Sequence, residues 1–252
     1  MTAPLAGRVA LVTGGAGDAI GQATARKLAG LGASIALNDV HERRAKAVAA
    51  ELAADTGADV RPYVFDIADR AAVDEAVAVM TTDLGPVDIL VNNAAINVQG
   101  SIFDYDPDDF ERVIAVDLTA CWYLMRAVVG GMRDRGWGNI VNVTSVAAYI
   151  GGRGHEGPYG AAKAALHDLT RSVAIEGGPY GIRCNAVAPG IVHSKFVEKH
   201  RERFEAEIER TPLRRHAEPV DVANVIAFLV SDEARHVTGE IVTVSGGWYL
   251  RP

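Results

Sequence analysis

Short apolar runs rich in Val and Ile recur along the chain between longer stretches of helical period: RVALVT, SIALND, VRPYVFD, VDILVNN, NIVNVTS, IRCNAVAP and EIVTVSG. Most of these runs are apolar at successive positions instead of alternating, the pattern of strands covered on both faces. Strand and helix in alternation predict a parallel sheet. Helices on both sides of it predict a three-layer, doubly wound α/β domain with right-handed crossovers. No linker, repeat or low-complexity tract interrupts the pattern, so residues 1–252 read as one domain. One segment differs in kind. IVHSKFVEKHRERFEAEIERTPLRR, residues 191–215, is charged and helical without a clean apolar stripe and reads as a mobile flap.

Composition narrows the partners. With 25 basic against 32 acidic residues and a net charge of −7, no basic cluster is dense enough to neutralise a phosphate backbone, and nucleic acid is not expected. No stretch is expected to supply the ~20 apolar residues that span a bilayer, and the first residues, MTAPLAGRVALV, lack the charged flank of a secretory leader. A cytoplasmic protein without membrane association is the expectation. The two cysteines, Cys121 and Cys184, form no C-x-x-C or Cys/His cluster and read as reduced, buried thiols. His193 and His200 lack a zinc-helix spacing, and no metal is expected.

The candidate chemistry begins with TGGAGDAIG, residues 13–21, set between a strand and a helix. That context can present backbone N–H groups and a helix N-terminus to phosphate. A triphosphate loop would need Lys and Ser/Thr after its last glycine, whereas Gln22 and Ala23 follow Gly21. A dinucleotide site instead needs an acid ~20 residues on, at the end of the second strand, to accept from ribose hydroxyls. Asp39 stands there; a helix cap by Asp39 or Asn38 is the competing use. Loop and acid together favour a cofactor, and a carboxylate at that place repels a 2′-phosphate, so NAD is expected over NADP. Arg43 and Arg44 in the next helix weaken that preference.

Further along, SVAAYIGGRGHEGPYGAAK supplies Ser145, Tyr159 and Lys163, the last two in a Y-x-x-x-K spacing that puts both side chains on one helix face. Together with TGGAGDAIG, VNNAA and VAPGIVHS, in this order and at these spacings, the chain resembles the short-chain dehydrogenase/reductase family in its compact form over nearly its whole length. The resemblance implies a Rossmann-like fold and hydride transfer between NAD and a small-molecule secondary alcohol or ketone. It assigns acid/base work to Tyr159, nicotinamide-ribose binding to Lys163, and positioning of the substrate oxygen to Ser145. By the same resemblance Asp39 selects NAD, Asp66 and Ile67 contact adenine, and Asn93 lies in the turn after the fourth strand. Pro189, Gly190, Val192 and Ser194 form the nicotinamide-side loop, and Gly14, Gly15, Gly17, Ile20 and Gly21 give the phosphate-side backbone. These roles agree with the physics. A tyrosine titrates near ~10, so an adjacent ammonium and a positive nicotinamide must stabilise its phenolate before it can take a proton from an alcohol, and a Ser hydroxyl can stabilise charge developing on the carbonyl oxygen.

Three positions depart from the family pattern. The loop is one residue longer than T-G-x-x-x-G-x-G, with Ala19 in place of the middle glycine and Asp18 expected in solvent or as a helix cap; Ala95 replaces a glycine; and Asp117 stands where the family has asparagine. Longer loops resemble the enoyl-reductase branch, but the tight Tyr–Lys spacing points to carbonyl chemistry. An ionised carboxylate ~6 Å from the phenol, at an effective dielectric of ~20, would disfavour phenolate by about 2 to 3 kcal/mol. Three accounts are open: Asp117 pairs with Lys163 and keeps a water relay, it is protonated, or it turns away and the enzyme is slow. The first is the expectation, because a carboxylate keeps acceptor oxygens for water.

Candidate substrate-pocket residues are Ile96, Tyr149, Arg153, His155, Phe196 and Trp248, with solvated or loop-bonding roles competing for Arg153 and His155. Small or apolar residues on more than one face of the helices near 110–133 and 158–176, among them Ala161, Ala162, Ala164, Ala165, Leu166 and Leu169, predict a homodimer or homotetramer. The tail GGWYLRP either reaches a neighbour or packs on its own flap. Two other functions compete, a non-catalytic NAD-binding sensor and a lyase or epimerase with tightly held NAD, though relatives of the latter kind carry a longer C-terminal region.

Overall fold

The computed structural model describes residues 3–151, 156–199 and 201–250, with Phe196, Arg201 and Arg203 as backbone only. All seven apolar runs are strands: β1 Val9–Val12, β2 Ser34–Asp39, β3 Val60–Val64, β4 Ile89–Asn92, β5 Gly138–Val143, β6 Ile182–Pro189 and β7 Ile241–Val244. They form one sheet in the order β3-β2-β1-β4-β5-β6-β7 with every neighbour parallel. Successive residues of a strand face opposite sides, and both sides are apolar. In β1, Ala10 and Val12 join one buried cluster while Leu11 joins the other.

Helices α1 (Ile20–Gly30) and α2 (Glu42–Thr56) supply Ala25, Leu28, Ala45, Ala49 and Leu52 to the first cluster. Helix α3 (Arg70–Asp83) brings Val73 and Met80 to the second. Asp69 starts α3 by accepting from the N–H groups of Ala71 and Ala72 at 3.0 and 3.2 Å, which satisfies two donors of the first turn. After β4, α4 (Pro107–Ile114) runs through a π-turn, Ala115–Thr119, into α5 (Ala120–Arg135), and Leu124, Met125 and Val128 pack beneath the sheet. Helix α6 (Ala147–Ile150) and the long α7 (Gly157–Gly177) follow β5. The flap is helical as expected, with α8 (Lys195–Lys199) and α9 (Arg201–Arg210), and α10 (Pro219–Val230) returns to the first cluster through Val222, Ile226 and Val230.

One expectation needs correction. The continuous helix Pro107–Arg135 is long and apolar enough to cross a membrane by length and composition, with a mean hydropathy of 1.5 in its best window. Its buried residues pack against the sheet.

Strand order fixes the functional end of the molecule. The chain runs outward from β1 to β3 and then crosses back so that β4 lies on the other side of β1. The connections leaving β1 and β4 diverge there, opening a crevice at the carboxyl ends of the strands, where open α/β sheets place their ligands.

Candidate active site

Beyond β1 the chain enters the glycine loop at Gly14, whose φ of +59° is a left-handed conformation suited to glycine. The Asn93 side chain donates to the carbonyls of Thr13 and Gly14 at 2.8 and 3.3 Å, and the Thr13 hydroxyl accepts from the N–H groups of Asn93 and Ala94 at 2.9 and 3.0 Å. The turn after β4 therefore clamps the loop after β1. Gly21 sits so close to that clamp that a Cβ there would lie 2.4 Å from the Gly14 oxygen and 2.6 Å from the Asn93 amide nitrogen. Helix α1 begins at Ile20, its N-cap Ala19 makes no side-chain cap bond, and Ala19, Ile20 and Gly21 border the cleft.

Two adjoining hollows occupy the cleft and share Ala19, Ile20, Asn93 and Ala95. One, about 500 Å³, is bordered by Gly14, Gly17, Gly21, Asp39, Asp66 and Ile67. The other, about 310 Å³, is bordered by Ser145, Tyr159, Lys163, Pro189, Gly190, Val192 and Ser194. This is the shape a dinucleotide requires: two nucleotide-sized compartments joined at a helix N-terminus. A larger hollow, about 630 Å³, lies outside α1 beside Pro219 and Val220, and its Arg26 is already paired with Glu51 and Asp55.

Gly15 is a correction. Its N–H is bonded to the Asn38 carbonyl at 2.8 Å and a Cβ on it would lie 2.5 Å from Leu37 Cδ1, so its N–H ties the loop to β2 and is not free for phosphate. Asp18 does not cap α1; its carboxylate pairs with Lys195 of the flap at 3.0 Å. Asp66 lies at the rim of the larger hollow and accepts from the Ala68 N–H at 2.9 Å, while Ile67 is buried.

Asp39 does not cap α2, whose N-cap is His41 without a side-chain cap bond. Buried at the end of β2, it accepts from the His41 N–H at 3.0 Å and holds the Arg44 guanidinium through both oxygens at 2.9 and 3.0 Å. It borders the larger hollow together with Arg44. The ion pair was not foreseen, although the five-residue offset along a helix start was visible in the sequence.

In the smaller hollow, Tyr159 and Lys163 lie one turn apart on α7, with the Lys163 Nζ 5.3 Å from the centre of the phenol ring. Ser145 follows β5, its Oγ accepting from the Ala147 N–H at 3.1 Å. Burial pushes the Tyr159 phenol up; Lys163 pulls it down, Asp117 raises it again, and a hydrogen bond with Ser145 lowers it. Asp117, on the π-turn, is fully buried, with Oδ2 3.3 Å from Lys163 Nζ and Oδ1 accepting from the Ile96 N–H at 2.8 Å. Burial raises its carboxyl while Lys163 opposes the rise. Burial alone would lower Lys163, but Asp117 and then Tyr159 reverse this and hold it above its ordinary value. Of the three accounts of Asp117, the one in which it turns away is excluded by this pair.

Of the candidate substrate contacts, Trp248 borders the smaller hollow and Ile96 the larger. Tyr149 instead stacks on Tyr249 at 4.5 Å. Val146, Ala147, Ile150 and Phe204 complete the apolar wall, and Asn97 donates to Glu156 at 2.6 Å across its mouth. Arg153 and His155 lie outside the described residues, as do His200 and the Phe196 side chain. The described part of the tail packs on its own flap, the Trp248 indole donating to Glu207 of α9 at 2.9 Å.

Fold and cleft together define the class, a dinucleotide-binding α/β oxidoreductase. A family model described as enoyl-(acyl carrier protein) reductase matches residues 15–249. The chain belongs to the short-chain dehydrogenase/reductase family. It is 39% identical to a (5R,7aS)-5-hydroxy-7a-methyl-1-oxo-2,3,5,6,7,7a-hexahydro-1H-indene-carboxyl-CoA reductase of Mycobacterium tuberculosis, covering 96% of this chain and 93% of the relative. It is also 39% identical to a 3-alpha-(or 20-beta)-hydroxysteroid dehydrogenase of Mycobacterium bovis, covering 98% and 91%. Among solved structures, an NAD⁺-bound xylitol dehydrogenase superposes with a TM-score of 0.91 at 31% identity, covering 96% of this chain and 99% of the other. A blue fluorescent protein from a metagenomic library, in complex with NADPH, gives 0.91 at 36% identity, covering 98% and 100%.

Proposed function

We propose that the protein is an NAD-dependent oxidoreductase that interconverts a secondary alcohol and a ketone, with Tyr159 as acid/base. The carrying observation is that Ser145, Tyr159 and Lys163 converge on one hollow that opens directly into a second one ending at Asp39. Asp39 would hold the adenosine ribose, the first turn of α1 the pyrophosphate, and Lys163 with the Pro189–Ser194 segment the nicotinamide end. The bound nicotinamide supplies or accepts the hydride. For reduction the chain's own part is proton transfer: Tyr159 gives its phenolic proton to the carbonyl oxygen while the Ser145 hydroxyl stabilises the charge growing there.

The substrate body is alicyclic and apolar in this reading. The wall formed by Val146, Ala147, Ile150, Phe204 and Trp248 supports it, as do two relatives whose names specify a hydroxysteroid and a hexahydroindene acyl-CoA. A panel of cyclic ketones and alcohols with both nicotinamide cofactors, followed by nicotinamide absorbance, tests it. Turnover by the wild type should fall about 10²- to 10⁴-fold in Tyr159→Phe, with cofactor affinity retained. Binding without turnover of any member would overturn the enzymatic reading in favour of a sensor.

One observation favours a second cofactor reading. The Arg44 guanidinium lies at the Asp39 carboxylate, where it can turn to a 2′-phosphate, and the known structures of similar chains include an NADPH complex. We propose further that the chain assembles as a homodimer or homotetramer in the cytoplasm, through the exposed side of α5 and α7.

A further inference from the structure

We propose that Asp117 is a positioning residue that takes up the charge of Lys163: the ion pair fixes the ammonium beside Tyr159 and leaves the phenol as the neutral-pH form, so that the site favours ketone reduction over alcohol oxidation. This rests on the acid/base role of Tyr159 given above.

The geometry begins with the helix. A π-turn at Ala115–Thr119 widens the backbone between α4 and α5, a local device frequent at functional sites, and Asp117 lies within it. Its side chain has no solvent exposure and that of Lys163 has 2%. Within the protein each of these charges is answered by the other. One carboxylate oxygen is held by the Ile96 N–H, which comes from the segment after β4, and the other faces Lys163 Nζ. Asp117 is thereby fixed from one side and fixes the lysine on the other.

The consequence is electrostatic. A buried ammonium without a counter-charge would act with its full charge on the phenol 5.3 Å away. Paired with a buried carboxylate, it presents a dipole. The other polar or titratable groups acting at the phenol are Ser145, after β5, and Glu156, at the start of α7; Cys121, on α5, faces the pair itself. Ser145 favours phenolate, Glu156 opposes it, and the Cys121 thiol is pushed up to about 11 by burial, so it is neutral at working pH. Among the described residues, ionising Tyr159 therefore adds a net negative charge to a site that is already balanced. With a reduced, uncharged nicotinamide the phenol stays protonated.

That is the form reduction requires. The Tyr159 O–H bond breaks as the new O–H bond forms on the former carbonyl oxygen, and the two electrons enter with the hydride. The phenolate so formed regains a proton from solvent by way of Lys163. Alcohol oxidation needs the phenolate at the outset, which this site supplies only in alkaline solution or with help from a positive nicotinamide.

The test is a titration of Tyr159 that requires no substrate. Near-ultraviolet phenolate absorbance is measured against pH for the wild type and for Asp117→Asn, each corrected by subtracting the matching protein that also carries Tyr159→Phe. Asp117→Asn should lower the Tyr159 midpoint by about one pH unit or more, a tenfold gain in phenolate at a given pH below it. The double variant Asp117→Asn/Lys163→Met, in which both charges are gone, should return close to the wild-type midpoint. An unchanged midpoint in Asp117→Asn would overturn the proposal, since Asp117 would then be protonated or electrically silent. If Asp117→Asn fails to fold, the double variant decides alone: a midpoint well above the wild type means that Lys163 acts unopposed in the native site. Failure of the ketone panel would remove the enzymatic reading without touching this titration.

Discussion

At the scale of single residues, Asp39 decides most. A buried carboxylate at the end of β2 faces ribose hydroxyls favourably and a 2′-phosphate unfavourably, yet here it is engaged by Arg44 through both oxygens. Releasing Arg44 for a 2′-phosphate would leave that phosphate beside an unpaired acid. NAD should therefore bind more tightly than NADP, and Asp39→Asn should narrow or invert the preference, by about tenfold or more in the ratio of Kd values, because it removes the repulsion and frees the guanidinium. Arg44→Ala should widen it. Fluorescence titration with both cofactors measures this, and a ratio indifferent to either substitution would remove the pair from selectivity. The placement of Tyr159 and Lys163 on one face of α7 was legible from their spacing, which holds whatever the rest of the chain does, whereas Ser145, after β5, came with the family resemblance. The partners of Asp39, Asp18 and Gly15 were not. Which group a carboxylate or an N–H meets depends on how Leu37, Asn38 and the flap approach, and none of these is local to the loop.

At the scale of elements, strands with two buried faces announced themselves through continuous apolar runs, and all seven were found within a residue or two of where pattern placed them. The π-turn was invisible, since one inserted residue in an amphipathic helix leaves its composition unchanged and appears only as a shift of register. The same limit hid how the glycine loop is held. Gly21→Ala should push the Gly14 carbonyl or the Asn93 amide aside, because the new methyl would meet both, and cofactor affinity should fall by more than tenfold while the fold survives. Helix α10 offers a stability test. Asp221 accepts from the Glu218 N–H at 3.0 Å and pairs with Arg215 at the end of the flap, and these contacts hold its carboxyl below the usual carboxylate range, Arg215 first. The stabilisation is present above the unfolded carboxylate value of ~3.9 and fades as pH falls through the lower folded value. Asp221→Ala should cost about 1 kcal/mol at neutral pH, read from denaturant melts, and progressively less as pH falls below the unfolded carboxylate value of ~3.9. An equal cost at both pH values would mean that the cap acts through something other than its charge.

At the scale of the whole molecule, α7 divides its surface between two tasks. Ala162, Lys163, Leu166, His167 and Thr170 are buried toward the sheet and the cleft, whereas Ala161, Ala164, Asp168, Arg171 and Ile175 face outward. Ile175 is 77% exposed, and Trp122 on α5 and Tyr180 beyond α7 are also exposed. Between α5 and α7 lies a hollow of about 190 Å³ bordered by Val129, Val173, Gly177 and Ile182. Apolar side chains around an open furrow on paired helices suit a self-complementary contact, in which a two-fold axis sets each copy's ridge in the other's furrow. A second copy is the occupant that the small residues of both helices favour, since their backbones can approach closely. Light scattering coupled to size exclusion should accordingly give a mass of two or four chains. Ile175→Glu places a charge in the contact on both sides of the axis at once and should shift the protein toward a smaller species at micromolar concentration, while circular dichroism and cofactor affinity remain those of the wild type, because Ile175 borders neither hollow of the cleft. A wild-type mass of one chain would leave this face without the proposed partner, and an unchanged oligomer in Ile175→Glu would move the contact to another surface, such as the exposed Ile102 and Phe103 beyond β4.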